Sequence, residues 1–522
     1  MAVLISGVHM RRRSVTWALA AFLLACIGLT GPAAAQPMPT WDPPGFQAPP
    51  DPRWAETTRT DVEAAYRLLR DNDPGGAPEL HDHAFMHRLE TSRTLALSRA
   101  QQVTSYDGYV AVLAGFANGM GDKHIWSRPA FVTNRPLWPG FIVSKHGSAW
   151  VVADTDDLRA PLKGAQVISC DGVPVEDLAR ANLGAFKADW SVGAQQFQNA
   201  PWLLVDDGNP FVKRPTACVL VQAGKSQTVH LDWELIKREL LLPRLHDAIG
   251  AGASGFGVRK VGDGYWIAMQ RLMGDGPPAV LKAVEAQKEA MRQAKFVVLD
   301  LRGNGGGGQV VGDDIAISLV SKPVFDKVMG GESSDDCGQV DGLLRVSDDN
   351  LAFMKVARAD FLAKGYPDIA KLLDAEIKTM EEAKAKGKPL TGDVNCKVAP
   401  PPPPATRQVA SPLKGRLIVL TDNLCFSACL SVVQEFLALG AYQVGQTTDA
   451  ATRFVDLREQ HLPSGYSYFS VLMSVHLEIP YQMGPFVPAL TYDGDIADTK
   501  ALEAWITGTV VPKALATGPK AP

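Results

Sequence analysis

Phe296-Val-Val-Leu-Asp-Leu-Arg-Gly-Asn-Gly-Gly-Gly-Gly308 is a β-branched apolar run that ends in four consecutive glycines. About 120 residues later comes Leu417-Ile-Val-Leu-Thr-Asp-Asn-Leu-Cys-Phe-Ser-Ala-Cys429. Both read as short buried strands bounded by turn residues, and the second leads through Ser427 into an amphipathic helical stretch. A serine at a strand-to-helix junction presents its hydroxyl at the sheet edge, where the helix N-terminus offers backbone N–H groups to a developing anion. Gly305 to Gly308 supply the facing wall, because a backbone without side chains can approach a substrate and aim amides at it. A phosphate loop of the Walker type needs Gly-Lys-Ser/Thr after its glycines, and Gln309 and Val310 stand there instead. Together the two stretches point to acyl transfer.

Length and composition are permissive. With 522 residues, 46% of them hydrophobic, the chain can bury several cores, and domain-size priors suggest three modules. A net charge of −4 without a clustered basic face argues against nucleic acid as a partner. Arg11 to Arg13, an apolar run from Val15 to Leu29 and Ala33-Ala34-Ala35 read as a removable export signal rather than a membrane span. The expected location is therefore periplasmic or extracellular. Leu23-Leu24-Ala25-Cys26 resembles a bacterial lipoprotein box, but Leu24 occupies a position that usually takes a smaller residue.

Six cysteines would remain after cleavage, and an even count in an exported chain permits disulfides. Cys337 and Cys396 flank one charged insertion and form the expected pair. Cys425 and Cys429 bracket Ser427, but cysteines four apart on a helix point poorly for a direct bond.

Residues 36–55 form a Pro-rich leader, and residues 56–136 follow a helical pattern expected to make a cap. From 236 onward strands alternate with helices, beginning at Tyr265 to Met269, which argues for an α/β core reaching residue 522. Residues 325–412 interrupt it with a charged helix around Glu381 to Lys386 and a Pro400 to Pro404 spacer, read as an inserted lid.

Between 137 and 235 the chain resembles a PDZ domain. Gly164 to Gly172 parallels that fold's Gly-Asp-x-Ile-x-x-x-Asn-Gly turn, and Trp138 to Phe141 stands where its peptide-end loop would be. PDZ domains bind extended peptides by strand addition; a β module that only braces the cap is the other reading.

Asp300 to Gly307 and Ser427-Ala428 resemble the two motifs of the tail-specific, or C-terminal processing, serine peptidases: Asp-Leu-Arg-x-Asn-x-Gly-Gly, and a nucleophile before Ala at a helix start. The resemblance runs from about residue 55 to the C-terminal helix. It implies a ClpP/crotonase-like α/β core, Ser427 as nucleophile, and an oxyanion hole from the N–H groups of Gly306 and Ala428. Asp300 and Arg302 would be structural.

A serine hydroxyl needs a base. One branch of the family uses a lysine in Gly-x-x-Thr-x-Gly-Lys-Gly, and aligning Gly445 to Thr452 puts Ala451 at that place. The tricorn-like branch uses a histidine in Asp-x-His, which Asp122-Lys123-His124 matches, so His124 is expected to be general base and acid. The family's distal glutamate aligns near Tyr481 or Gln482, with Glu478 as a substitute, and these three stay open as the third group. His81, His83 and His87 read as a solvated helix rather than a metal site, since no glutamate sits where a zincin needs it.

The sequence thus reads as an exported serine endopeptidase cutting extended or unfolded polypeptide segments through an acyl-enzyme, with no cofactor and no metal. The alternatives are a catalytically silent binding protein on the same fold and a serine esterase.

Overall fold

The structure, a computed structural model, describes residues 53–131, 136–250, 254–329, 342–394, 411–477 and 482–516. The expected export segment, most of the leader, Cys337, Cys396, Glu478 and Tyr481 lie outside the described residues. Among the described residues no helix is long and apolar enough to cross a membrane.

The central sheet has six strands in the order Phe256–Val261, Gly264–Met269, Phe296–Asp300, Arg416–Thr421, Tyr442–Gly445, Leu490–Thr491. The first pair is an antiparallel hairpin and the rest are parallel. Alternation within Phe296–Asp300 explains its unbroken apolar run. Val297 and Leu299 face the helices Gly276–Gln293, Val310–Val320 and Ala428–Ala438. Phe296 and Val298 face the other way, against Ile496, Leu502, Ile506 and Val510. A parallel strand covered on both sides must be apolar throughout. Its register against Arg416–Thr421 pairs Asp300 with Leu420, so the glycine loop and the serine turn leave the sheet side by side.

The segment resembling a PDZ domain is an antiparallel sheet in the order Phe141–His146, Ala149–Thr155, Gln166–Cys170, Ala217–Gln222, Lys225–His230, with helices Val175–Asn182 and Gly193–Asn199. A disulfide joins Cys170 to Cys218, directly opposite each other on neighbouring strands. At the Trp138 to Phe141 loop, Trp138 is buried and pairs with Glu234, and the Gly140 carbonyl accepts the Asp156 N–H at 2.8 Å.

Helices Trp54–Asn72, His83–Ala100 and Tyr106–Asn118 make the cap. They share one core with Phe454, Phe469, Val471 and Leu472, which belong to an antiparallel sheet built mainly from Phe454–His461 and Ser467–Val475. The insertion contributes a helical hairpin, Asp348–Ala363 and Pro367–Ala385, packed on Met473.

One cysteine expectation is corrected. Cys425 and Cys429 are disulfide-bonded, with Cα atoms 5.4 Å apart. The helix starts only at Ala428, so Cys425 lies in the preceding turn and helical i, i+4 geometry does not apply.

Candidate active site

Ser427 stands at the junction between the strand Arg416–Thr421 and the helix Ala428–Ala438, with φ 59° and ψ −130°. That conformation is one a side chain rarely adopts, and such strain persists only where the surroundings over-determine it. The sharp turn lifts the hydroxyl off the helix, so Ser427 makes no capping bond to it. Oγ lies 2.9 Å from Nε2 of His124 instead.

The His124 ring is held on several sides. Nδ1 is 2.8 Å from Oδ1 of Asp122, and the His124 N–H donates to the same oxygen at 2.8 Å. Oδ2 of Asp122 accepts from the N–H and hydroxyl of Thr452. The Ser470 hydroxyl donates to the His124 carbonyl at 2.8 Å, and the Phe426 ring lies against the imidazole at 4.5 Å. Burial opposes ionisation of Asp122, yet the His124 imidazole, the Thr452 hydroxyl and the His124 N–H outweigh it and hold the carboxyl below its usual range. A buried carboxylate on Nδ1 fixes the tautomer that leaves Nε2 free to accept from serine.

The carboxylate on Nδ1 is that of Asp122, which was not among the residues expected for the third group; of those, Glu478 and Tyr481 lie outside the described residues. Gln482 is exposed and pairs through its backbone with Thr452. Asp122 was present in the Asp-x-His match, two residues before the histidine, which is the signal that could have found it. Nothing in the sequence marked Thr452 as its partner.

The glycine loop forms the opposite wall. Asp300 and Arg302 are fully buried and paired at 2.7 Å, with Arg302 also donating to the Ile496 carbonyl at 2.6 Å. Phe426 N–H donates to the Asn304 carbonyl at 3.1 Å, and Asp422 accepts from Gly303 N–H at 2.8 Å and Leu424 N–H at 3.0 Å. Burial pushes Asp422 up to about 7 against those bonds. Gly306 has φ 102°, and a Cβ there would stand 2.8 Å from Cβ of Ser427 and 3.0 Å from the Ala428 nitrogen. Only glycine can make this wall.

At Gly306 the structure differs from the expectation. Its N–H donates to Oδ1 of Asn304 at 2.9 Å, because the Asn304 side chain folds back under the loop after bonding the Met269 carbonyl. The N–H of Ala428, at the first helical position, has no acceptor among the described residues.

Lys123 places its ammonium 4.5 Å from the centre of the Phe426 ring. Its ammonium binds Asp449 and Gln198, both at 2.7 Å, and Gln195 and Gln198 also donate to Asp449, so the helix Gly193–Asn199 is tied to the site's flank. Ala451, at the lysine position of the other branch, is buried in a short strand. His81, His83 and His87 are exposed.

No protein-family model and no curated protein matches the sequence. Solved structures do. Mature CPAF superposes with a TM-score of 0.55 at 14% identity, over 89% of this chain and 98% of that one. The chain shares that fold. Mature CPAF complexed with lactacystin gives a TM-score of 0.54 at 14% identity, again over 89% of this chain and 98% of that one. A CPAF mutant gives 0.57 at 14% identity over 90% and 98%.

Proposed function

We propose that this protein is a serine peptidase of the tail-specific kind that hydrolyses extended or unfolded polypeptide segments. The observation that carries the reading is the aligned series Ser427 Oγ, His124 Nε2, His124 Nδ1 and Asp122 Oδ1, with contacts of 2.9 and 2.8 Å, at a helix start. His124 takes the proton from Ser427 as Oγ attacks the scissile carbonyl, and Asp122 stabilises the imidazolium that forms. The tetrahedral oxyanion is received by the Ala428 N–H, helped by the helix N-terminus, and the Gly306 N–H joins it only on leaving Asn304 Oδ1. His124 then returns the proton to the leaving amine, and water on the acyl-enzyme completes the cycle.

Shared fold with mature CPAF and the motif resemblance support the family reading, and the Ser427–His124 contact favours its Ser-His branch. Cavities of 240 and 340 Å³ between the cap and the β module share Ala114, Phe186 and Lys187, and the first adjoins Asp122. The PDZ-like reading of that module, the ClpP/crotonase-like reading of the core, and export to the periplasm or exterior belong to the same proposal.

The test is a fluorophosphonate probe on the mature protein, with the adduct located by mass spectrometry. An adduct on Ser427 that is lost in Ser427→Ala and in His124→Ala, together with cleavage of an unfolded protein, supports the reading. Absence of any adduct on the native protein would sink it in favour of a silent binding protein.

A further inference from the structure

We propose that the Cys425–Cys429 disulfide positions the nucleophile, so that the reactivity of Ser427 depends on that pair being oxidised. The inference rests on the reading of Ser427 as the nucleophile. The bond closes a ring of five residues with Ser427 at its centre, joining the end of the strand-side turn to the first turn of the helix. Both cysteines are fully buried, in the core cluster that also holds Ala428, Val432 and Phe436.

The need for a brace follows from what the serine does. A serine at an N-cap ordinarily turns its oxygen back to an N–H of the first helical turn and so anchors the helix. Here Oγ is committed to His124, and that capping bond is absent. The turn also holds Ser427 at a positive φ that relaxes readily once the flanking residues are free. Its backbone ties are Leu430 N–H to the Ser427 carbonyl at 2.8 Å, Phe426 N–H to the Asn304 carbonyl at 3.1 Å, Cys429 N–H to the Phe426 carbonyl at 3.2 Å and Cys425 N–H to the Asp422 carbonyl at 3.3 Å. Only the first is short; the other three, which hold the chain before the helix, are at the long end for such bonds. The covalent link supplies the constraint that the displaced cap would have given. The Cys425 carbonyl accepts the Asp449 N–H at 3.1 Å, so the same brace fixes the flank bound by Lys123.

A ring this short restricts little of the unfolded chain, so opening it alters global stability far less than it alters the turn. Opening consumes one dithiol: its two thiols become a disulfide, the Cys425–Cys429 bond breaks, and each cysteine gains a hydrogen. In a reducing compartment the pair stays as thiols and Ser427 is loosely held; in an oxidising one, exchange with a disulfide oxidant forms the Cys425–Cys429 bond and leaves that oxidant as a dithiol.

The experiment compares the rate of fluorophosphonate attachment to Ser427 in the oxidised wild type, in a Cys425→Ala/Cys429→Ala variant and in a Cys170→Ala/Cys218→Ala control, alongside thermal unfolding. The expected result is a fall of about tenfold to a hundredfold in the first variant only, carried by kcat rather than KM for a cleaved peptide. Attachment at the wild-type rate in that variant overturns the proposal while leaving the peptidase reading intact; no adduct on oxidised wild type overturns both. Should the variant not fold, wild type is treated with dithiothreitol, labelled and alkylated with iodoacetamide. Peptides 425–429 alkylated on both cysteines should then lack the Ser427 adduct, and finding both modifications on one peptide at full yield overturns the proposal.

Discussion

The two walls of the site are held by different means. On the serine side, the glycine loop and the nucleophile turn leave adjacent parallel strands whose backbone register places them together, and buried Asp300, Arg302, Asn304 and Asp422 bind main-chain groups around them. On the histidine side, Asp122 and His124 follow the cap helices and are fixed by Thr452 and Ser470, more than 300 residues away in sequence. One wall is scaffold. The other is a set of side-chain contacts closed across the fold, so changes there should remove activity while sparing stability.

The sharpest division comes from the reacting groups themselves. Ser427→Ala and His124→Ala are each expected to lower turnover by about a millionfold with the melting temperature nearly unchanged. Adduct formation that survived in His124→Ala would break the comparison, because the second wall would then contribute nothing. Asp122→Asn keeps the shape but allows the wrong imidazole tautomer, and about a 10,000-fold loss in kcat is expected, read by steady-state kinetics on any cleaved substrate.

Smaller changes separate the walls by their stability cost. Thr452→Val removes the hydroxyl that holds Oδ2 of Asp122 and should reduce kcat by about tenfold, with a denaturant midpoint close to wild type. Asn304→Ala leaves the buried Met269 carbonyl and Gly306 N–H without partners, so it should cost about 1–3 kcal/mol in urea unfolding as well as activity. Equal stability losses from both would erase the distinction.

The smallest effect probes the helix behind the serine. Glu435 is fully buried next to Asp313, and burial, then the neighbouring carboxyl, hold it well above the usual carboxylate range. The folded state therefore binds this proton more tightly than the unfolded chain does. Its contribution is most favourable at acidic pH and declines as pH rises through the ordinary carboxylate range toward the folded value. Glu435→Gln removes the titration and should stabilise the protein by about 1 kcal/mol at pH 8 and by little at pH 4, measured by urea unfolding at both pH values.

Much of the serine wall was legible in the chain. The strands Phe296–Asp300 and Arg416–Thr421 announce themselves as unbroken apolar runs, since both faces are covered, and Ser427 sits where strand pattern gives way to helix pattern. His124 and Asp122 could be picked out only through a three-residue match. The Cys425–Cys429 bond is not legible in the spacing, because cysteines four apart before a helical pattern read as helical, whereas the helix begins between them. The Gly306 N–H was expected to be free, and the fold-back of the Asn304 side chain is a rotamer that composition does not encode.

By itself, the sequence determined the α/β core, the glycine wall and the serine junction, because periodicity, glycine runs and strand-to-helix transitions are local properties of the chain. Only the tertiary structure decided that Asp122 meets Nδ1 of the histidine, that Thr452 holds Asp122, and that Lys123 turns to Asp449. These depend on which distant side chains meet in space, and a hydrogen bond spanning 330 residues leaves no trace in the spacing of either partner.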